Sequence, residues 1–404
     1  MRDITGGVCA PEGFMANGIH AGMRKNKSKK DLSLIYSKEP CIAAATYTQN
    51  KVKGAPLIVT KKHLKDGIAQ AIICNSGNAN TCNSNGVELA TETSELLAKE
   101  LGIKEEDVIV ASTGVIGQPM VIDPFKEHMH ELVAGLKKDG SDDAVQGIMT
   151  TDTKPKEYAV EFVIDGQIAH IGAIAKGSGM IHPNMATMLA FVTSDVDISK
   201  EMLDIMIHEV VNDTFNMVSV DGDTSTNDML CVMCNGLAGN KKIVFKDHDY
   251  QVMEDALFYI CEQLSRDIAK DGEGATKLLT CKVSHAKSVW NAKAVAKSVI
   301  TSSLFKAAMF GKDANWGRIL CAIGYAPADV DVNKVDVHLQ STVGNLYVCH
   351  NGMGVTFDEE FATKVLSEDE IIIAIDLNDG DYSATAWGCD LTYDYVKING
   401  DYRT

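Results

Sequence analysis

The 404-residue chain is longer than one hydrophobic core usually grows, since cores stop growing at roughly 250–300 residues, and two lobes are expected. Its 45% hydrophobic and 23% charged residues are ordinary for a globular protein and exclude a disordered chain. The net charge of -17 repels phosphate backbones and anionic membranes, which argues against nucleic acid and membrane partners.

The predicted elements alternate between strands and helices along the chain. The first residues lack the pattern of a signal peptide, so a cytoplasmic protein is expected, and the basic run at 24–30 is predicted to be a solvated loop. Amphipathic periodicity predicts the helices, and short apolar runs predict the strands. In chain order the predicted elements are strands at 42–48 and 71–74, a helix at 87–101, strands at 108–111 and 188–192, a helix at 202–215, a strand at 230–233, helices at 251–270 and 295–309, and a strand at 371–375.

This mixture predicts an α/β (α+β) fold with layered sheets and helices. No internal repeat of 20–50 residues is visible, which excludes solenoids and propellers. We expect a layered αββα-type sandwich with a second, smaller α/β lobe at roughly residues 285–390. Loops rich in Gly and Asn follow three strand-like runs, at 75–80, 112–117 and 221–227, and a site is expected at those strand ends.

Metal and disulfide chemistry are not indicated. The eleven cysteines mostly sit in apolar runs, including Cys74 and Cys321, and are predicted to be reduced and buried. Cys231 and Cys234 have a metal-like spacing, but no second such pair accompanies them. The sequence therefore predicts no metal site and no cofactor.

The segment 176–193 combines two flexible glycines, a proline and Thr187 at the opening of an apolar strand. One interpretation is an ordinary turn before a buried strand. The other is chemical: the Thr187 hydroxyl attacks the carbonyl of Ala186, and water cleaves the resulting ester. Thr187 then becomes an N-terminus whose α-amine, with a pKa of about 7.7–8.0, serves as its own base. No GxSxG elbow offers a serine nucleophile instead.

The run at 176–189 resembles the cleavage motif of the ornithine acetyltransferase family, the bifunctional glutamate N-acetyltransferases of arginine biosynthesis. The resemblance extends over nearly the whole chain through nine further motifs, at residues 10–14, 30–32, 75–80, 112–117, 149–153, 220–228, 271–276, 315–318 and 395–399.

This resemblance implies cleavage into fragments 1–186 and 187–404 that remain associated, as a heterotetramer. It also implies that Thr187 takes the acetyl group of N-acetylornithine and passes it to glutamate in a ping-pong cycle. Exchange of one acetyl amide for another is nearly energy-neutral, which fits the lack of a cofactor. Acetyl-CoA stays open as a second donor.

The resemblance also implies roles for residues around the nucleophile. Thr113 and Gly114 would form the oxyanion hole, although an ordinary tight turn explains them equally well. Lys176 would bind a substrate carboxylate, with a solvated surface lysine as the alternative. The remaining implied substrate-binding residues are Glu273 for the cationic end, Asn399 and Thr404 from the C-terminal tail, and one of Thr150 and Thr151.

Two other functions stay open at this point. A self-cleaving amidase or aminopeptidase would use the same N-terminal threonine, with water as the acceptor. A binding protein that keeps only the fold is the second alternative. Acetyl release without glutamate would indicate the first, and the presence of Thr187, Lys176 and Glu273 argues against the second.

Overall fold

The computed structural model describes residues 1–182 and 188–401, which form two β-sheets with helices packed on them. Its strands are β1 (Arg2–Ile4), β2 (Phe14–Ile19), β3 (Leu32–Tyr47), β4 (Ile68–Asn75), β5 (Val108–Ser112), β6 (Lys156–Ile164), β7 (Gln167–Lys176), β8 (Leu189–Ser194), β9 (Val218–Ser219), β10 (Met229–Cys234), β11 (Leu278–Ala286), β12 (Asp336–Ser341), β13 (Gly344–His350), β14 (Met353–Gly354), β15 (Glu370–Asp376) and β16 (Tyr382–Cys389). Its helices are α1 (Ala55–His63), α2 (Gly86–Leu101), α3 (Asp123–Ala134), α4 (Ser141–Ile148), α5 (Lys200–Asp213), α6 (His248–Lys270), α7 (Val289–Thr301), α8 (Ser303–Phe310), α9 (Trp316–Gly324), α10 (Glu359–Val365) and α11 (Tyr393–Asp401).

The first sheet has the order β1-β6-β7-β8-β10-β3-β4-β5, with β2 paired to β3. Its central strands β8 and β10 run parallel, with Leu189 opposite Met229. Both strands are buried along their whole length, and alternate residues enter cores on opposite faces of the sheet. Burial on both faces explains why their sequences are continuous apolar runs rather than alternating ones.

The second sheet has the order β14-β13-β12-β15-β11-β16-β9. Helix α6 contacts β6 and β7 of the first sheet and β11 and β16 of the second. One hydrophobic core therefore contains residues from both sheets, with α6 between them. The predicted α/β class with layered sheets and helices is confirmed.

The main error among the predicted elements is the helix expected at 295–309. The structure divides this region into α7 and α8 at Ser302, whose side chain accepts a hydrogen bond from the backbone N–H of Phe305 at 3.3 Å. A serine cap ends one helix and starts the next without breaking the apolar periodicity, so the pattern does not reveal the break. Among the residues described, no helix is long and apolar enough to cross a membrane.

The cysteines are free thiols and most are buried, as expected, but Cys321 is exposed. Cys321 lies on α9, in a run of apolar residues. Because successive helical residues point in different directions, one residue of such a run can face solvent. Cys231 and Cys234 belong to cores on opposite faces of the first sheet, so their spacing along β10 does not make a ligand pair.

Candidate active site

One cavity of about 170 Å³ brings together seven of the residues singled out in the sequence. They are Thr113, Gly114, Thr150, Thr151, Lys176, Glu273 and Asn399. Ile181 and Met188, on either side of the predicted cleavage position, line the same cavity. Ala186, Thr187 and Thr404 lie outside the described residues. The predicted cleavage position is therefore flanked in the chain by two residues of the cavity wall.

Thr113 and Gly114 lie in the loop that follows β5. The Thr113 N–H donates to the carbonyl of Asn75 at the end of β4. Gly114 has φ of 119°, and a Cβ there would lie 2.8 Å from the carbonyl carbon of Gly77. Only glycine suits both this backbone conformation and this close approach. The loop after β4 therefore holds the Thr113–Gly114 turn in one shape.

Asn227 connects these loops to the segment that precedes β10. Its side-chain amide donates to the carbonyls of Ala79 at 2.6 Å and Ser112 at 2.9 Å. Its Oδ1 accepts from the hydroxyl of Thr81 at 2.7 Å and from that of Thr226 at 2.6 Å. Because Asn227 is 4% exposed, this network is shielded from water and fixes three loops relative to one another.

Lys176 ends β7 opposite Leu189, the first residue of β8. Its side chain is buried, and Nζ donates to the Thr113 hydroxyl over 3.4 Å. Burial lowers the pKa of Lys176, while the carboxyl groups of Asp152 and Asp228 act in the opposite direction. The alternative of a solvated surface lysine is therefore wrong. Lys176 brings an amine into the cavity, where an anion can pair with it.

Asp152 anchors the chain directly after Lys176 and connects it to the segment at 150–156. One carboxylate oxygen accepts from the N–H of Gly177 at 2.7 Å and from Lys156 Nζ at 2.8 Å, and the other accepts from the N–H of Thr150 at 2.9 Å. Burial acts to raise the pKa of Asp152, but the Lys156 and Lys176 charges outweigh it and hold the pKa well below its usual range. A buried carboxylate with these partners stays ionised and rigid.

The loop at 219–224, called the clamp loop here, holds the chain at residues 180–182, ahead of the predicted cleavage position. Asp221 accepts the N–H groups of residues 180 and 181 at 2.7 and 2.9 Å. The Thr224 hydroxyl donates to the carbonyl of His182 at 2.8 Å. Burial and the charge of Lys297 lower the pKa of His182 to about 4, so its ring is neutral at pH 7. The clamp loop thereby orients residues 180–182.

Glu273 and Asn399 form the outer wall of the cavity. The Glu273 N–H donates to the carbonyl of Ser178, and its side chain accepts from Asn399 Nδ2 at 2.8 Å. A Cβ on Gly179 would collide with the Glu273 carboxyl, so the glycine makes room for it. Glu273 is half-buried and Asn399, on α11, is exposed. This wall offers a carboxylate to a cationic group.

Three aspartates at or near the cavity are not among the site residues predicted from the sequence. Asp152 and Asp221 hold backbone N–H groups, as described above, and Asp228 lines the cavity. All three lie in the motifs at 149–153 and 220–228, and the motifs alone imply no role for them. An acidic residue directly before an apolar strand, as Asp228 is before β10, is the signal that could have found it. Thr150 and Thr151 both line the cavity, so the structure does not choose between them.

Comparison with known proteins finds relatives that match nearly the whole length of this chain. A sequence model of the ArgJ family matches residues 15–404. Arginine biosynthesis bifunctional protein ArgJ 1 of Clostridium acetobutylicum is 52% identical over 97% of this chain and 96% of its own length. Arginine biosynthesis bifunctional protein ArgJ of Caldanaerobacter subterraneus subsp. tengcongensis is 49% identical over 100% of both chains. A crystal structure of arginine biosynthesis bifunctional protein argJ from Bacillus halodurans is 43% identical, with a TM-score of 0.50, over 52% of this chain and 98% of that one.

Proposed function

Since the chain belongs to the ArgJ family, we propose that it moves an acetyl group from N-acetylornithine to glutamate in arginine biosynthesis. The resemblance indicated by the sequence motifs is confirmed at the level of the family. The observation that carries the proposal is the cavity itself. A buried amine, a carboxylate, a hydroxyl and a glycine turn surround the two ends of the segment that contains Thr187.

The charges of the cavity suit an amino-acid derivative with a carboxylate at one end and an ammonium at the other. N-acetylornithine has an α-carboxylate and a side-chain ammonium. Lys176 Nζ would pair with the carboxylate, and Glu273 would accept a hydrogen bond from the ammonium. The acetyl carbonyl would then point toward the Thr113 hydroxyl and the Gly114 N–H, which can donate to an oxyanion. Glutamate would use Lys176 in the same way.

The proposed nucleophile is Thr187, freed by cleavage after Ala186. The clamp loop supports this step because it fixes the chain that enters the segment, while β8 fixes the chain that leaves it. A peptide held at both ends can be attacked intramolecularly at a high effective concentration. The solved relative from Bacillus halodurans also supports it, since that chain spans about half of this one, as a cleavage fragment would.

The proposed cycle has two half-reactions. The Thr187 hydroxyl loses its proton to its own α-amine as the oxygen attacks the acetyl carbon of N-acetylornithine. The C–N bond breaks with its electron pair on nitrogen, and ornithine leaves once a general acid in the cavity has protonated that nitrogen. The amine of glutamate then attacks the acetyl ester, gives one proton back to the same group and releases the Thr187 oxygen, which recovers a proton from the α-ammonium. No metal or nucleotide is needed for this exchange.

The decisive experiment is intact mass spectrometry of the parent and of Thr187→Ala and Thr187→Ser. The parent should give fragments 1–186 and 187–404, and N-acetylornithine alone should add one acetyl group to the second fragment. Thr187→Ala should stay full-length and inactive. Thr187→Ser should be cleaved more slowly, because serine lacks the methyl group that restrains χ1.

Three outcomes would contradict the proposal. The first two are a Thr187→Ala variant that is still cleaved and an acetyl group on a residue other than Thr187. The third is an acetyl ester that is lost to water at the same rate whether or not glutamate is present. The third outcome would indicate an amidase. Repeating the assay with acetyl-CoA in place of N-acetylornithine tests the second donor.

A further inference from the structure

Asp228 is a buried carboxyl group that the proposed cycle does not yet use. It lines the cavity and is only 3% exposed. Its backbone carbonyl accepts from the N–H of Thr48 at 3.0 Å, which fixes the main chain at this position. Within the described part of the chain, its Oδ2 atom has no hydrogen-bond partner. Buried polar atoms are nearly always paired, so an unpaired carboxyl oxygen at a cavity needs an explanation.

The position of Asp228 relates it to the proposed nucleophile. Asp228 directly precedes β10, whose first residue, Met229, pairs with Leu189 of the parallel strand β8. The N–H of Met229 also donates to the carbonyl of Met188 at 2.9 Å. Asp228 therefore lies abreast of Met188, one residue after the proposed new N-terminus. Lys176, the proposed carboxylate-binding group, is close enough to interact with it electrostatically.

The environment of Asp228 favours a bound proton. Burial raises the pKa of Asp228 well above its usual range, against the opposing effects of a hydrogen bond from Ser225 and the charge of Lys176. Asp152, by contrast, is held ionised by two lysines. Both carboxyl groups interact with Lys176, but only Asp228 lines the cavity. Their opposite protonation states separate a candidate acid from a structural anion.

We propose that Asp228 is the general acid and base that acts on the nitrogen of the transferred acetyl amide. This assignment rests on the proposed acetyl transfer and adds a residue to it. The α-amine of Thr187 exchanges a proton with the Thr187 hydroxyl oxygen, and Asp228 exchanges a proton with the substrate nitrogen. Oδ2 is unpaired among the described residues, so it can hold this proton without the loss of another hydrogen bond.

The protons balance over the full cycle. In the first half-reaction the bond between the acetyl carbon and nitrogen breaks, its electron pair stays on nitrogen, and the Asp228 proton moves to that nitrogen. Ornithine leaves and Asp228 is a carboxylate beside Lys176. In the second half-reaction the glutamate amine attacks the acetyl ester and gives one proton to Asp228. The cycle ends with Asp228 protonated again and with the hydroxyl of Thr187 restored.

The test compares Asp228→Asn with the parent on two acetyl donors. N-acetylornithine has an amine leaving group, which needs a proton to depart. p-Nitrophenyl acetate releases p-nitrophenolate, which needs none. Asparagine keeps the size of the side chain but cannot transfer a proton. The matched control is Asp223→Asn, an exposed aspartate of the same loop. All rates are expressed per cleaved molecule, measured by intact mass.

The proposal predicts that Asp228→Asn lowers the rate of Thr187 acetylation by N-acetylornithine about 10²- to 10⁴-fold. Acetylation by p-nitrophenyl acetate should match the parent, and passage of that acetyl group to glutamate should again be slow. The control should resemble the parent throughout. Equal loss with both donors, full activity with N-acetylornithine, or an uncleaved variant would each overturn the assignment. If the parent itself fails to acetylate glutamate from N-acetylornithine, the proposed function fails instead.

Discussion

The two walls of the cavity differ in how firmly they are held. The inner wall carries Thr113 and Gly114, and Asn227 holds its loops with buried hydrogen bonds to three segments. The outer wall carries Glu273 and Asn399, which share one side-chain hydrogen bond near the surface. Asn399 belongs to α11, none of whose described residues is buried. One wall is fixed by many partners and the other by few.

This difference in rigidity indicates which step of the reaction each wall can support. Stabilisation of an oxyanion requires donors whose positions do not adjust during the reaction, because reorganisation would consume the gain. Entry and exit of two amino acids requires a surface that opens at low cost, which few buried contacts permit. We therefore expect changes to the inner wall to reduce kcat and changes to the outer wall to raise KM.

The largest effect is expected for Gly114→Ala on the inner wall. The added Cβ would lie 2.8 Å from the carbonyl carbon of Gly77, at a backbone φ of 119° that alanine avoids. The turn must shift, and loss of one oxyanion donor costs about 10²- to 10³-fold in kcat. Steady-state kinetics on processed protein would measure the loss, and mass spectrometry would show slower cleavage.

Gly117→Ala is the matched control for this change. Gly117 lies in the same loop with φ of 77°, but a Cβ there meets nothing within 4 Å. It adds the backbone strain without the collision, and should lower stability while leaving kcat nearly unchanged. Similar kcat values for the two alanine variants would show that the inner wall does not depend on close packing.

A smaller effect is expected for Glu273→Gln on the outer wall. Glutamine keeps the size of the side chain and can still accept from Asn399, but it has no charge for the substrate ammonium. Hydrogen bonds to charged groups contribute about 1.5–3 kcal/mol, so KM for N-acetylornithine should rise about tenfold or more. Self-cleavage and acetylation by p-nitrophenyl acetate should persist. Glu262→Gln on α6, away from the cavity, is the control, and an unchanged KM would remove Glu273 from substrate binding.

The smallest effect concerns how the free energy of unfolding depends on pH through His182, which the clamp loop holds. The pKa of His182 is lowered to about 4 in the folded protein, against about 6.5 when unfolded. Between these values the unfolded chain binds a proton that the folded chain does not, so the free energy of unfolding falls as pH drops from 6.5 to 4. Above pH 6.5 this contribution is constant.

Urea unfolding of processed protein at pH 7.5, 6 and 5 would measure this dependence. His182→Gln should lose part of the decrease, whereas His130→Gln, whose side chain is 85% exposed, should keep all of it. The same decrease in parent and His182→Gln would show that the clamp loop admits water freely.

Much of the candidate site could be predicted from sequence because its parts are local. The glycine and asparagine loops follow apolar strands, and the polar ends of such strands are recognisable in one dimension. The motif resemblance then singled out Thr113, Lys176 and Glu273, which the folded chain brings to one cavity. Their roles, and the cleavage at Thr187, stay predictions for the experiments above. Asp228 could not be assigned, because its lack of a partner depends on every neighbour at once.

The sequence by itself determined the α/β class and the family and predicted the chemistry of Thr187, since apolar periodicity and functional-group type are properties of short segments. Only the tertiary structure decided that Lys176 is buried, that Ser302 ends one helix and begins another, and that Asp152 is ionised while Asp228 favours a proton. The physical reason is that burial and electrostatics sum over residues far apart in the chain. Lys156 lies near Asp152 in the chain, but Lys176 interacts with both aspartates only because β6, β7 and β10 belong to the same sheet.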